Sequence, residues 1–192
     1  MNKIITLWLV RHGETIENKA NICQGQTHGT LSENGIMQAT RLAGRLKNYV
    51  FDQIWSSDLN RALHTAEIIS AEQTGMLEVQ KDIRLRERAF GSFQGRVFPE
   101  NRTNFVYPPD VESITEMGVR LSSFLDDLYT SADQKVILIV THGVALRVLL
   151  SILLYGNTLQ TDQLPLLENA SATRVCIQNG RVIEIDYNPC DK

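Results

Sequence analysis

Cysteine is scarce and poorly spaced for structural work. The chain has 3, Cys23, Cys176 and Cys190, an odd number without metal-ligand spacing. A disulfide framework is not expected, and a reducing compartment is. Only 5 of 192 residues are proline, while 43% are hydrophobic and 21% charged, so no disordered tail is implied and one compact domain over 1–192 is expected. No apolar run approaches the about 20 residues that cross a bilayer. The apolar segment before Arg11 is also too short for a signal peptide, which makes the cytoplasm the expected location. A formal charge of −3 provides no whole-chain attraction to nucleic acid or to an anionic membrane, so neither is an expected partner and anion binding has to be local. Walker-type and GxGxxG loops are missing, and so are HExxH, paired cysteines and Asp-rich clusters. Nucleotide-dependent transfer and redox chemistry therefore have no support.

What is present begins with Leu7-Trp8-Leu9-Val10-Arg11-His12-Gly13-Glu14-Thr15. The short, continuous apolar run Ile4 to Val10 reads as a strand buried on both faces of a parallel sheet. Arg11 and His12 then stand at its carboxyl end, where open α/β sheets place their ligand crevice. The pattern returns in Val136-Ile137-Leu138-Ile139-Val140, which stops at Thr141-His142-Gly143. If the two strands are neighbours, their imidazoles face one another across a small cleft.

Between these strands, Gly13 to Thr30 reads as a polar loop over the strand ends. The amides of Asn18 and Gln24 can donate to an anion there, and Gly25 lets backbone N–H groups approach it; ordinary turn chemistry fits the same spacing. Ser32 is a plausible N-cap for a helix whose inward stripe is Ile36, Ala39, Leu42, Ala43 and Leu46. A short strand over Asp52 to Ser56 leads into a second helix that carries Arg61 in its first turn. A cation is disfavoured there unless an anion sits beside it, so Arg61 is either a phosphate ligand or a solvated side chain. Leu77 to Gln80 suggests another strand. In the loop Leu85-Arg86-Glu87-Arg88 to Gly95, Glu87 reads as a proton donor and Arg88 as a substrate holder, against the plainer reading of a solvated charge run.

From Arg96 to Pro109 the chain is irregular, with Pro99 and Pro108-Pro109 fixing extended backbone. Ile114, Met117, Leu121, Phe124, Leu125 and Leu128 follow at helical spacing. A helix over about Val144 to Leu154 follows His142. Ala172 to Ile177 and Arg181 to Tyr187, joined by Asn179-Gly180, predict a hairpin with a type I′ turn.

His12, His142, Arg11, Arg61 and Glu87 thus collect at one rim. Guanidinium forks match phosphate oxygens, which makes a phosphate the simplest ligand. One imidazole can attack phosphorus, the other can stabilise the transferring group, and the carboxyl can protonate the leaving oxygen. A two-His, one-carboxylate metal site uses some of the same residues, but the two arginines would repel a divalent cation.

At these positions the sequence resembles the histidine phosphatase, or phosphoglycerate mutase-like, superfamily over nearly its whole length. The resemblance is carried by Leu9 to Thr15, by Asn18 with Gln24-Gly25, by Ser56 to Ala62 with Thr65-Ala66, by Leu85 to Arg88 with Gly91 and Gly95, and by Thr141-His142-Gly143. It implies a three-layer α/β/α sandwich around a mostly parallel sheet. It further implies that His12 is the nucleophile, that Arg11, Arg61 and His142 form the phosphate pocket with help from Asn18 and the Gly143 amide, and that Glu87 is the acid/base, without metal or cofactor. By that resemblance a short cap region is expected over about 88–112, and only 18 residues separate Gly95 from the Ile114 helix. So short a cap favours a phosphomonoesterase acting on a small phosphorylated metabolite over mutase chemistry; a non-catalytic phospho-ligand binder is the third reading. The oligomeric state stays open, a homodimer included. Arg84, Arg86, Arg96, Arg102 and Arg147 either favour polyanionic substrates or are simply solvated.

Overall fold

The computed structural model describes residues 3–75, 77–101, 105–131 and 134–189; Arg102 and Cys190 lie outside them. In chain order the elements are β1 (Ile4–Arg11), α1 (Ile16–Lys19), α2 (Glu33–Leu46), β2 (Gln53–Ser56), α3 (Asn60–Ala71), β3 (Val79–Lys81), α4 (Ile114–Ser131), β4 (Lys135–Thr141), α5 (Gly143–Tyr155), β5 (Ala172–Gln178) and β6 (Arg181–Tyr187). The strands form one sheet in the order β3-β2-β4-β1-β5-β6. β1, β2, β3 and β4 pair in parallel, and β5 runs antiparallel to both β1 and β6. The fold is therefore mixed α/β, with a mostly parallel sheet as expected.

The central strands read as unbroken apolar runs because helices cover both of their faces. Leu7 and Leu9 of β1 join Ile137 and Ile139 of β4 under α4 and α5. Trp8 and Val10 turn the other way, with Leu138 and Val140, under α2 and α3. The predicted hairpin is present, with Asn179 at φ 50° and Gly180 at φ 77°, the left-handed pair that a type I′ turn demands.

Three expectations need correction. Gly13 to Thr30 is not all loop: Thr15 caps α1 through the Asn18 N–H, and the Asn18 side chain returns a bond to the Thr15 N–H. Four residues are too few for a helical apolar period to show in the sequence. Ile36 is not in the inward stripe of α2 and is 40% exposed. The buried start of that stripe is Gly35, where a Cβ would collide with the Glu14 carbonyl, so the next residue turns outward. The basic residues are also largely engaged: Arg84 pairs with Asp82 and Asp127, Arg86 with Asp58, and Arg147 with Asp162.

The segment about 88–112 has an apolar cluster that the sequence reading did not foresee. Phe90, Phe93, Phe98, Phe105 and Tyr107 pack in tilted and edge-to-face pairs, with ring centroids 4.9–6.1 Å apart. Buried Cys23 joins them, and its backbone pairs with the Gly95 N–H and the Arg96 carbonyl. This layer thereby roofs the rim at the ends of β1 and β4.

Candidate active site

The parallel register sets Arg11 opposite Thr141, and the His12 N–H bonds the Thr141 carbonyl at 3.0 Å. The next residue on each strand is a histidine, and the two rings lie with centroids 5.2 Å apart. His12 Nδ1 is 2.7 Å from the Gly13 carbonyl. A carbonyl only accepts, so Nδ1 carries the proton and Nε2 holds a free lone pair. Burial, with Arg61 and Arg11 nearby, holds the His12 imidazole well below its ordinary range and so neutral.

His142 is fully buried. Its Nδ1 accepts from Arg61 Nε at 3.1 Å, which leaves Nε2–H to donate to Ser57 Oγ at 2.9 Å. Burial, then Arg61 and His12, also depress its protonation. Both rings are therefore neutral in the folded protein but protonate near pH 6.5 once unfolded. The unfolded state binds more protons below that pH, so stability falls as pH falls. We expect a loss of about 1 kcal/mol per histidine between pH 6.5 and 5.5, read from urea melts at the two values. His142→Gln should reduce that loss.

Arg11 donates from Nη1 to the Leu167 carbonyl at 2.6 Å, while its Nε is buried without a partner. Arg61 is 1% exposed, and burial lowers its guanidinium to about 10, against the pull of Glu87. It donates to the carbonyls of Thr27 at 2.6 Å and Gly25 at 2.7 Å. Gly25 can present its carbonyl this way because it sits at φ +52°, where a Cβ would strike Gln94. Among the described residues neither guanidinium forms an ion pair with a carboxylate. Arg61 is buried and Arg11 half-buried, and Glu87 acts on both without pairing with either, so the place is ready for an anion.

Glu87 supplies the negative group. Its carboxylate accepts from the N–H groups of Val144 and Ala145, at 3.1 and 3.2 Å, in the first turn of α5. The Arg88 N–H adds a third bond at 2.8 Å. Helix polarity favours a carboxylate there, and the Gly143 N–H at the first helical position has no intrahelical acceptor. Arg120 on α4 holds the segment from behind, donating to the carbonyls of Arg84, Arg86 and Glu87 and to the Glu112 carboxylate.

These groups border a cavity of about 340 Å³, whose walls include Arg11, His12, Asn18, Gln24, Gly25, Arg61, Glu87 and Gly143. A family model described as histidine phosphatase superfamily (branch 1) matches residues 7–188. The chain belongs to that superfamily. It is 38% identical to the protein named probable phosphoglycerate mutase GpmB of Yersinia pestis (strain Pestoides F), over 92% of this chain and 87% of that one. A mycobacterial glucosyl-3-phosphoglycerate phosphatase solved with VO3 superposes with a TM-score of 0.85 at 30% identity, covering 95% of this chain and 97% of its own. A phosphoserine phosphatase mutant from Entamoeba histolytica, in complex with phosphoserine, gives 0.82 at 28%, covering 97% and 98%. Membership supports phosphoryl-handling chemistry.

Within this member of the superfamily the contacts differ from the expected ones in four places. Arg88 does not line the cavity: its guanidinium stacks on Phe90 and Tyr107, 5.5 Å from each ring, and Nε bonds the Glu112 carbonyl. Gln24 directs its amide N–H to Thr15 Oγ1 at 2.8 Å rather than toward an anion. Arg61 is no open fork, because loop carbonyls and His142 take most of its donors. His142 has both nitrogens engaged and is not in the cavity wall. The metal alternative loses support with it, since among the described residues no group of three or more His, Cys, Asp and Glu could hold an ion.

Sequence reasoning missed Ser57, Arg120 and Asn169, whose Nδ2 bonds the His12 carbonyl at 3.0 Å. Ser57 stood inside a recognised block without a role. Arg120 falls between the apolar positions of the helix that starts at Ile114, and Asn169 has no motif at all.

Proposed function

We propose that the protein hydrolyses phosphate monoesters through a covalent phosphohistidine on His12, with Glu87 as acid and then base, and without a metal or other cofactor. One observation carries this reading: a neutral imidazole with a free Nε2 faces a cavity beside buried Arg61 and half-buried Arg11, neither of which forms an ion pair among the described residues. Nε2 attacks phosphorus in line. The P–O bond to the alcohol breaks, and Glu87, which takes up a proton when the phosphoryl dianion binds beside its carboxylate, gives that proton to the departing oxygen. Glu87 then takes a proton from water, the hydroxide attacks phosphorus, the P–N bond breaks and phosphate leaves. Arg11, one remaining N–H of Arg61, the Gly143 N–H and the Asn18 amide supply donors to the phosphoryl oxygens. His142 acts from behind, by holding Arg61.

Rapid-quench kinetics with labelled substrate tests the proposal. A labelled intermediate stable to alkali and labile to acid, mapped to His12, with inorganic phosphate as product and full rate in chelator, is the expected result. Transfer of the phosphoryl group to phosphoglycerate faster than to water would instead favour mutase chemistry. Ester binding without turnover would leave only a phospho-ligand binder.

A further inference from the structure

The cavity extends beyond its phosphate end, and that outer part has a definite character. Ile22, Phe90, Phe98, Val144 and Leu166 all contribute to its walls. Leu166 leans over the first turn of α5, where a Cβ on Gly143 would come within 3.0 Å of its Cδ1, yet it remains 59% exposed. An apolar side chain left open to water at a cavity mouth gains from contact with an apolar ligand. Asn21 and Asn169 are the neutral polar residues nearby in the wall.

The charges of the wall point the same way. Among its described residues the guanidiniums are Arg11 and Arg61, both committed to the phosphate end. Arg88, which is nearest in sequence to the acid, is held between Phe90 and Tyr107, and Arg120 is spent on Glu112 and three carbonyls. The remaining charge in the wall is the Glu87 carboxylate. Among the described residues, a second anionic group on the substrate would meet an apolar wall and no further cation.

We infer that the substrate is a monophosphate ester of a neutral alcohol with an apolar or aromatic body, and not a phosphorylated acid. This rests on the phosphatase reading above and narrows it. It separates this chain from relatives whose names specify phosphoglycerate or phosphoserine, both of which carry a carboxylate.

The test compares kcat/KM at pH 7.5 for benzyl phosphate, 3-phosphoglycerate and phosphoserine, all of which release a primary alkoxide. Benzyl phosphate should lead by roughly tenfold to a hundredfold, the range expected when pocket lining alone discriminates. Leu166→Ala should lower kcat/KM for benzyl phosphate about fivefold. Leu166→Arg, at a position too exposed to threaten folding, should narrow the gap to phosphoglycerate. Equal or faster turnover of either acid would overturn the inference while leaving the hydrolase reading intact. Calorimetric binding to the His12→Ala protein separates the two claims further. Tighter binding of benzyl phosphate than of 3-phosphoglycerate supports the inference even if the wild type hydrolyses neither, an outcome that sinks only the hydrolase reading.

Discussion

His12→Ala lowers kcat for monoester hydrolysis on the order of 10⁴–10⁶-fold, the scale seen when a covalent nucleophile is removed. The substitution takes away Nε2, the one group placed to form the P–N bond. It leaves Arg11, Arg61 and the Gly143 amide to bind the phosphoryl group, so the Kd for inorganic phosphate should change by less than about tenfold. Phosphate release and labelling of the protein measure the first effect, and titration calorimetry the second. His12 is buried, so near-ultraviolet circular dichroism must show native packing before the rates are compared. Turnover within tenfold of wild type would remove His12 from the mechanism.

Glu87→Gln should lower kcat/KM for alkyl phosphates about 10²–10⁴-fold, the usual worth of general acid catalysis. An alkoxide is a poor leaving group without a proton, whereas nitrophenolate leaves unassisted. The first step on p-nitrophenyl phosphate should therefore survive within about tenfold. Hydrolysis of the phosphohistidine still needs a base, so the variant should release a burst of one nitrophenolate per site and then slow. Glutamine keeps one oxygen to accept from the α5 amides that now bond Glu87, which limits structural damage. Equal losses on both esters, with no burst, would show that Glu87 only positions the substrate.

The sandwich itself was legible because its signals are local. Unbroken apolar runs at Ile4–Val10 and Val136–Val140 mark strands covered on both faces, and the three-and-four spacing from Ile114 to Leu128 marks α4. The aromatic layer over the rim was not legible. Phe90, Phe93, Phe98, Phe105 and Tyr107 follow neither helical nor strand periodicity, and they cluster only because the 21–24 and 95–98 segments pair. Ile36 misled for the opposite reason: it fits the helical period, but close approach at Gly35 rotates it into solvent.

For the site, Arg11, His12 and His142 at strand ends, Arg61 in a helix's first turn and Glu87 in a loop were read to one rim on the condition that the two apolar strands are neighbours, and β1 and β4 do pair. What the tertiary structure alone decided is which of their donors remain available. The carbonyls of Gly25 and Thr27 lie more than 30 residues from Arg61, and Ser57 lies 85 from His142. Glu112 is 24 residues from Arg88. No spacing rule reaches across such distances. A hydrogen bond exists only when two backbones have been packed to about 3 Å, and that closeness belongs to the folded chain.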